Sequence, residues 1–458
     1  MARAISFPML LLALIGGCVT APAKLPPPVV VESSIDQVKA ETPIVPTVKP
    51  TIKPISIRES TELDLNQLLA AIDARNPTIQ QMWQASAALS MKSVQARSLD
   101  DPMLGLNVAP GSGPSANTSF AARAEISQKI PYPGKRLLRS EIIQWEGFAA
   151  REDVTAMRQK LAEAGQNSYA DWFLIGKSLE VNVENLKLLT EYRANAETRY
   201  RNGQGPQQDL LQADVELARQ QERAISLERA RKVTQAKINT LMHEPIDVPL
   251  PPAREIKVAP MDLNLAELNE RALANRPDLK ALQFQLNSDE AALALAEREY
   301  KPDVEVLAAY DGFWQGANGR PLQWQVGARI NLPVQRERRA AAVGEMKAKL
   351  AQRRAEISRM TDQIMFEVQE AHEQWQESRK IVELYEKTVL PAAVANVKEA
   401  RASYTNGKVP FLNLIEAQRN ATMLRDRYYE SVADVIRRQG ALERAARASE
   451  PMPRNPLP

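Results

Sequence analysis

Apolar and polar residues alternate along four short stretches of this chain and recur with helical spacing through most of the rest. In the first stretch Leu104, Leu106 and Val108 alternate with Gly105 and Asn107. In the second, Phe120, Ala122, Ala124, Ile126, Gln128 and Ile130 alternate with Arg123, Glu125, Ser127 and Lys129. The third sets Val304, Val306, Ala308 and Tyr310 against Asp303 and Glu305, with Leu307 and Ala309 weakening its polar side. The fourth sets Leu322, Trp324, Val326, Ala328, Ile330 and Leu332 against Gln323, Gln325, Gly327, Arg329 and Asn331. A period of two predicts a strand with one apolar and one polar face. The intervening segments 110–119 and 312–321 are rich in Gly, Ser, Asn and Pro, as hairpin tips are.

Helices are predicted on either side. Residues 64–98 and 264–300 abound in Ala, Leu, Gln and Glu, which favour helix. The proline-free runs 134–205, 207–244, 334–390 and 411–450 predict far longer helices. At about 1.5 Å per residue, one from Lys135 to Arg201 would be roughly 100 Å long, beyond any ordinary globular helix. Asn202-Gly203-Gln-Gly-Pro206 ends it and opens a return helix, and Asn406-Gly407-Lys-Val-Pro410 does the same later. On the first return helix Leu210, Leu217 and Ala224 form one apolar stripe. Leu211, Val215, Ala218 and Ile225 form a second beside it. One stripe suits a coiled-coil core; two suit a helix with neighbours on both flanks, as in a ring.

The plan is written twice. Asn76-Pro77 recurs as Arg276-Pro277, Pro102 as Pro302, and Ile130-Pro131 as Leu332-Pro333. The turn Tyr200-Arg-Asn-Gly203…Pro206…Leu210-Leu-Gln-Ala213 matches Tyr404-Thr-Asn-Gly407…Pro410…Leu414-Ile-Glu-Ala417. These landmarks, in one order and at nearly constant offset, indicate a tandem duplication. Repeat 1 is placed at 61–245, a linker at 246–260, repeat 2 at 261–447 and a flexible tail at 448–458.

Composition mainly excludes. A net charge of +3 over 458 residues gives no basic surface for nucleic acid. A single Cys precludes an internal disulfide or a Cys-based zinc site, and His243 and His372 are too far apart in sequence to suggest a metal centre. No Ser/His/Asp set or phosphate-binding Gly loop stands out. No catalysis, cofactor or metal is therefore expected. Residues 1–17 read as an export signal, with a short basic start and an apolar run from Ala4 to Ile15. Leu14-Ile15-Gly16-Gly17-Cys18 resembles a bacterial lipobox, which implies lipidation (palmitate among the acyl groups) at Cys18. Val19 in place of Asp resembles lipoproteins sorted to the outer membrane. Residues 18–60 would form the lipidated N-terminus and a Pro-rich tether.

Transmembrane strands need about 9–11 residues and alternate lipid-facing with lumen-facing positions. Four strands cannot close a barrel, and an open edge in lipid leaves backbone groups unsatisfied. Three chains would supply twelve strands and twelve long helical arms. A soluble coiled-coil protein with two small hairpins is the competing architecture.

The duplicated helix–strand–strand–helix–helix plan and the two Tyr-x-x-Gly…Leu-x-x-Ala turns resemble the outer-membrane efflux (TolC-like) family over about residues 62–447. The resemblance implies a mainly α fold with a small β part. It implies a homotrimer whose β-barrel lies in outer-membrane lipid and whose coiled-coil tunnel crosses the periplasm. Such a trimer is a passive exit duct for an inner-membrane RND-type pump, joined through a periplasmic adaptor (membrane fusion protein). Ser127-Gln-Lys-Ile-Pro131-Tyr-Pro-Gly-Lys135 and Ser98-Leu-Asp-Asp-Pro102-Met resemble the CzcC/CusC-like branch, which serves heavy-metal cations. A duct for drugs or type I-secreted proteins and a non-conducting periplasmic scaffold lipoprotein are the alternatives. By resemblance, Gly203, Pro206, Gly407 and Pro410 form the tip where the adaptor docks. Asn413 and Glu416 occupy the family's acidic gate positions, from which Asn413 departs. From the alternation, Arg123, Glu125, Lys129 and Arg329 face the barrel lumen, and Trp314 and Trp324 suit an aromatic girdle.

Overall fold

The computed structural model describes residues 61–110, 120–256, 263–314 and 323–446, which fall within one compact unit. Cys18, the leader, the Pro-rich tether, Leu322, the hairpin tips and the tail lie outside the described residues, as does the side chain of Trp314. The first half runs α1 (Leu65–Arg75), α2 (Pro77–Arg97), β1 (Met103–Pro110), β2 (Phe120–Ile130), α3 (Lys135–Arg201) and α4 (Gln207–Leu241). The second runs α5 (Leu265–Asn275), α6 (Pro277–Arg298), β3 (Val304–Trp314), β4 (Gln323–Ile330), α7 (Arg336–Leu384), α8 (Leu390–Thr405) and α9 (Phe411–Ala446).

Two expectations need correcting. Residues 64–98 and 264–300 are not single helices; each breaks one residue before its proline. A residue preceding proline is pushed out of the helical region, and Asn76 accordingly sits at φ −67°, ψ 120°. Its side chain then caps the next helix by accepting the Thr78 N–H at 3.0 Å, with Pro77 at the first helical position. Arg276 breaks the second copy in the same way. The other correction concerns α7, which does not stop near residue 390. A five-residue π-helical turn, Tyr385–Val389, carries it into α8 through Pro391. Proline lacks the N–H and its ring collides with the carbonyl four residues back; the wider π turn accommodates both. By contrast α3 runs unbroken for 67 residues.

The helices bury two main cores. Leu63, Ile72, Phe173, Ile238 and Ile436 join α1, α3, α4 and α9. Leu268, Leu279, Ile364, Trp375 and Leu442 join α5, α6, α7 and α9. The segment between the repeats packs on the first core. Leu63 donates its N–H to Pro252 O at 2.8 Å, Arg254 returns one to Leu63 O at 3.1 Å, and Trp172 Nε1 donates to Pro251 O at 2.9 Å.

The four strands form one antiparallel sheet in the order β1-β2-β3-β4. Pairing of β2 with β3, from Phe120↔Trp314 to Ile130↔Val304, joins the two repeats. Among the described residues, both β1 and β4 keep an unpaired edge.

Candidate functional site

The register sorts the sheet into two unlike faces. Opposite residues share a face, so Asn107, Arg123 and Asp311 lie on one side, as do Lys129, Glu305 and Arg329. Guanidinium and carboxylate groups pair across three strands there. Glu125 accepts from Arg123 at 3.0 Å and from Arg329 at 2.9 Å. Asp311 and Glu305 lie 3.8 and 3.7 Å from the same two arginines. All four expected lumen residues share this face. Leu307, also on it, packs over Gly327, where no side chain stands in the way.

The opposite face carries Leu106, Val108, Ile126, Val306, Val326 and Ile330, all exposed in the protomer. Val326 is 89% exposed and Trp324 76%, the latter touching Tyr310 edge-on at 4.9 Å between ring centres. An apolar face of this extent, unpartnered in one chain, marks a surface made for lipid or protein. At about 3.3 Å per residue the 11-residue strands reach roughly 36 Å, enough to cross the hydrocarbon when tilted.

A buried lysine joins sheet to helices. Lys135, the first residue of α3, has a side chain only 1% exposed. Its Nζ donates to Asp303 Oδ1 at 2.9 Å, Glu299 Oε2 at 3.0 Å and Lys301 O at 3.0 Å. Asp303 also accepts the Tyr132 N–H at 2.9 Å, and its own N–H donates to Asn331 Oδ1. One residue therefore ties the strand ends together: the Asp303 carboxylate holds the segment after β2 and the start of α3, and its backbone N–H holds the segment after β4. Gly134, in the preceding corner, has φ +90°, a left-handed conformation suited to glycine.

At the far end of the helices, the two turns contain Gly203 (φ +68°) and Gly407 (φ +71°). Pro206 and Pro410 stand just before α4 and α9, so all four expected tip residues occupy the turns. The turns are not equivalent. Tyr404 is buried between Phe411 and Arg199, whose guanidinium lies 4.8 Å above its ring, whereas the matching Tyr200 is 44% exposed. Arg199 also donates to Tyr404 O at 2.9 Å, and the Tyr404 hydroxyl donates to Asp209 at 3.4 Å. Burial raises the Asp209 carboxyl above its ordinary range, against the opposing pull of Tyr404 and Arg199.

Asn413 and Glu416 lie on one exposed face of α9 and border an open groove with Asn396, Glu399 and Ser403 of α8. One turn further, Glu216 of α4 is buried between two arginines. It accepts from Arg419 Nε at 2.9 Å, again from that residue's Nη2, and from Arg219 at 3.0 Å. The Arg419 hydrogen bonds, helped by both positive charges, hold its carboxyl below the usual range despite burial. The first α4 stripe is half-buried, with Leu217 against a smaller cluster near the turns that includes Leu189, Tyr192, Phe411 and Leu414; of the second, Leu211, Val215 and Ile225 stay exposed.

Sequence reading missed Lys135, Asp303, Arg199 and Glu216. Lys135 and Asp303 are 168 residues apart. The signals were slight: a lysine just after a Pro-Tyr-Pro-Gly corner, and a glutamate amid the apolar positions of α4.

No protein-family model matches the sequence. An uncharacterized protein of Haemophilus influenzae is 22% identical over 225 residues, covering 45% of this chain and 49% of the relative. The match thus spans about half the length of this curated relative. Solved structures agree over much more. The outer-membrane channel OprN superposes with a TM-score of 0.72 at 19% identity, covering 85% of this chain and 90% of OprN. CusC, described in terms of folding and transmembrane channel formation, gives 0.71 at 16%, covering 84% and 92%. The Campylobacter jejuni outer membrane channel CmeC gives 0.71 at 13%, covering 83% and 85%. The chain has the fold of these outer-membrane channels.

Proposed function

We propose that this chain is one protomer of an outer-membrane exit duct in a tripartite efflux system. The observation that carries this reading is the sheet: exposed apolar residues on one face, an ion-paired polar network on the other, and two open edges. Backbone groups at those edges need partners in hydrocarbon, and further copies of the same sheet supply them at no cost in new sequence. Three copies complete a twelve-stranded wall. In it the network around Arg123, Glu125 and Arg329 lines a water-filled lumen, with Lys129 at its helix-side rim. The exposed stripe of Leu211, Val215 and Ile225 is covered by the next protomer's helices, continuing the wall as a tunnel.

Conduction through such a wall is passive, with direction imposed by an inner-membrane RND-type pump acting through an adaptor. The adaptor docks at the turns around Gly203 and Gly407. The exposed carboxylates of Glu416 and Glu399 support a cation-attracting mouth, and heavy-metal cations are the cargo we assign. Lipidation at Cys18 anchors the chain to the outer membrane. Planar-bilayer recording of the purified full-length protein tests the duct. Discrete, long-lived currents are expected, and electrically silent insertion would overturn it. Growth of a deletion strain on panels of metal salts and drugs tests the cargo: sensitivity to drugs alone would move the assignment to drugs.

A further inference from the structure

A row of three arginines runs along the seam where sheet meets helices. Arg136, at the start of α3, donates to Arg97 O at the end of α2 (3.1 Å). Arg298, at the end of α6, lies across the bare Cα of Gly134 and reaches Pro133 O at 3.4 Å. Arg339, in α7, donates to Glu299 O just past α6 at 2.9 Å. These links follow the order α2-α3-α6-α7 in which the helices pack side by side. Each guanidinium has five N–H donors, and most of them find no acceptor within the described residues.

Arg97, Lys301, Arg336 and Arg338 are exposed at the same level, and no carboxylate or carbonyl within the described residues accepts from their side chains. Segments 97–101, 132–139, 297–303 and 332–339 together hold nine Lys and Arg against six Asp and Glu. Two of those six, Glu299 and Asp303, are already engaged by Lys135 and Arg139 of the same segments, and an excess of three cations remains. Interleaved with the cations in these segments are exposed apolar groups: Leu332 (75%), Val334 (78%), Leu137 and Tyr132. Cations immediately beyond an apolar band, with tyrosine between, match the headgroup level of a bilayer.

We propose that this seam is a docking belt for anionic phospholipid headgroups on the helix side of the membrane. Phosphates would be held by these four exposed cations and by the remaining N–H groups of the three stapling arginines. The inference rests on the sheet being the membrane wall. The belt would fix the depth at which the wall sits, because raising or sinking the seam pulls cations away from phosphate.

The test uses full-length protein reconstituted into phosphatidylethanolamine vesicles with or without phosphatidylglycerol. Quenching of tryptophan fluorescence by brominated phosphatidylethanolamine reports insertion through Trp324. Lipid retained after detergent extraction, measured by mass spectrometry, reports headgroup preference. The parent should retain phosphatidylglycerol beyond its share. A cation near an anionic surface is worth about fivefold in partitioning. The variant R97Q/K301Q/R336Q/R338Q should therefore lose at least about fivefold of that enrichment while quenching as before. Removing four distant exposed cations (K187Q/R229Q/K232Q/R427Q) should preserve it. Quenching without enrichment, or equal loss in both variants, overturns the belt alone. No quenching in any vesicle overturns the belt together with the membrane reading.

Discussion

Replacing Lys135 with Met removes every bond that its ammonium makes at the seam while keeping most of its volume. Asp303 would then keep only the Tyr132 N–H, at a site where its own side chain is 11% exposed. Breaking one partner out of a buried ion pair costs about 3–5 kcal/mol. The Glu299 side chain is 42% exposed, so its share falls in the surface range of about 0–1 kcal/mol. Residual water access at Asp303 puts the total at the lower end, about 3 kcal/mol. The double variant K135M/D303N removes the orphaned charge, and its amide oxygen can still accept from Tyr132. It should recover about 2 kcal/mol, a coupling typical of contacting groups. Denaturant unfolding of the full-length protein in detergent, followed by near-ultraviolet circular dichroism, measures both. A Lys135→Met cost under about 0.5 kcal/mol, or strict additivity in the double variant, would show that the seam is not held as described.

Val326→Arg places a charge at the centre of the apolar face and should cost about 2–4 kcal/mol of membrane-folded stability, whereas Arg329→Gln on the opposite face should cost under about 1 kcal/mol; the fraction folded in vesicles separates them. Glu416→Ala should weaken block by divalent cations several-fold in bilayer recordings, and unchanged currents would dismiss a carboxylate ring at the mouth. Glu216 has a folded-state pKa below its unfolded one, so its stabilisation is complete above about pH 4.3 and is lost as pH falls through the lowered folded value. The gap in denaturant midpoint between the parent and Glu216→Gln should therefore narrow on acidification from about pH 5.5 to about pH 3.

Local chemistry made much of this fold legible. Strict alternation around Arg123 and Trp324 gave both strands and their faces, because a pleat assigns neighbours to opposite sides. The Asn-Gly…Pro turns at 202–206 and 406–410 marked the helix reversals, since only those residues stop one helix and start another so cheaply. Proline was read too simply. Pro77 and Pro277 begin helices inside stretches that composition alone ran together, and Pro391 sits within a helix that widens to admit it. Long-range pairs stayed hidden. Nothing periodic connects Lys135 to Asp303 or Arg199 to Tyr404, and the inequivalence of Tyr200 and Tyr404 arises only when the two helical hairpins meet. Of the proposed mouth, Glu416 could be placed on α9 by spacing, but its groove with Glu399 depends on how α8 and α9 pack.

The mass of the intact particle in detergent, with bound lipid and detergent subtracted, bears most directly on the idea that one chain holds only part of a membrane wall. Three chains per particle is the expected value, with Leu106 and Val326 reached by membrane-soluble labels in lipid and shielded there from water-soluble ones. A single chain that stays dispersed without detergent, its apolar sheet face shielded by its own residues, would contradict it.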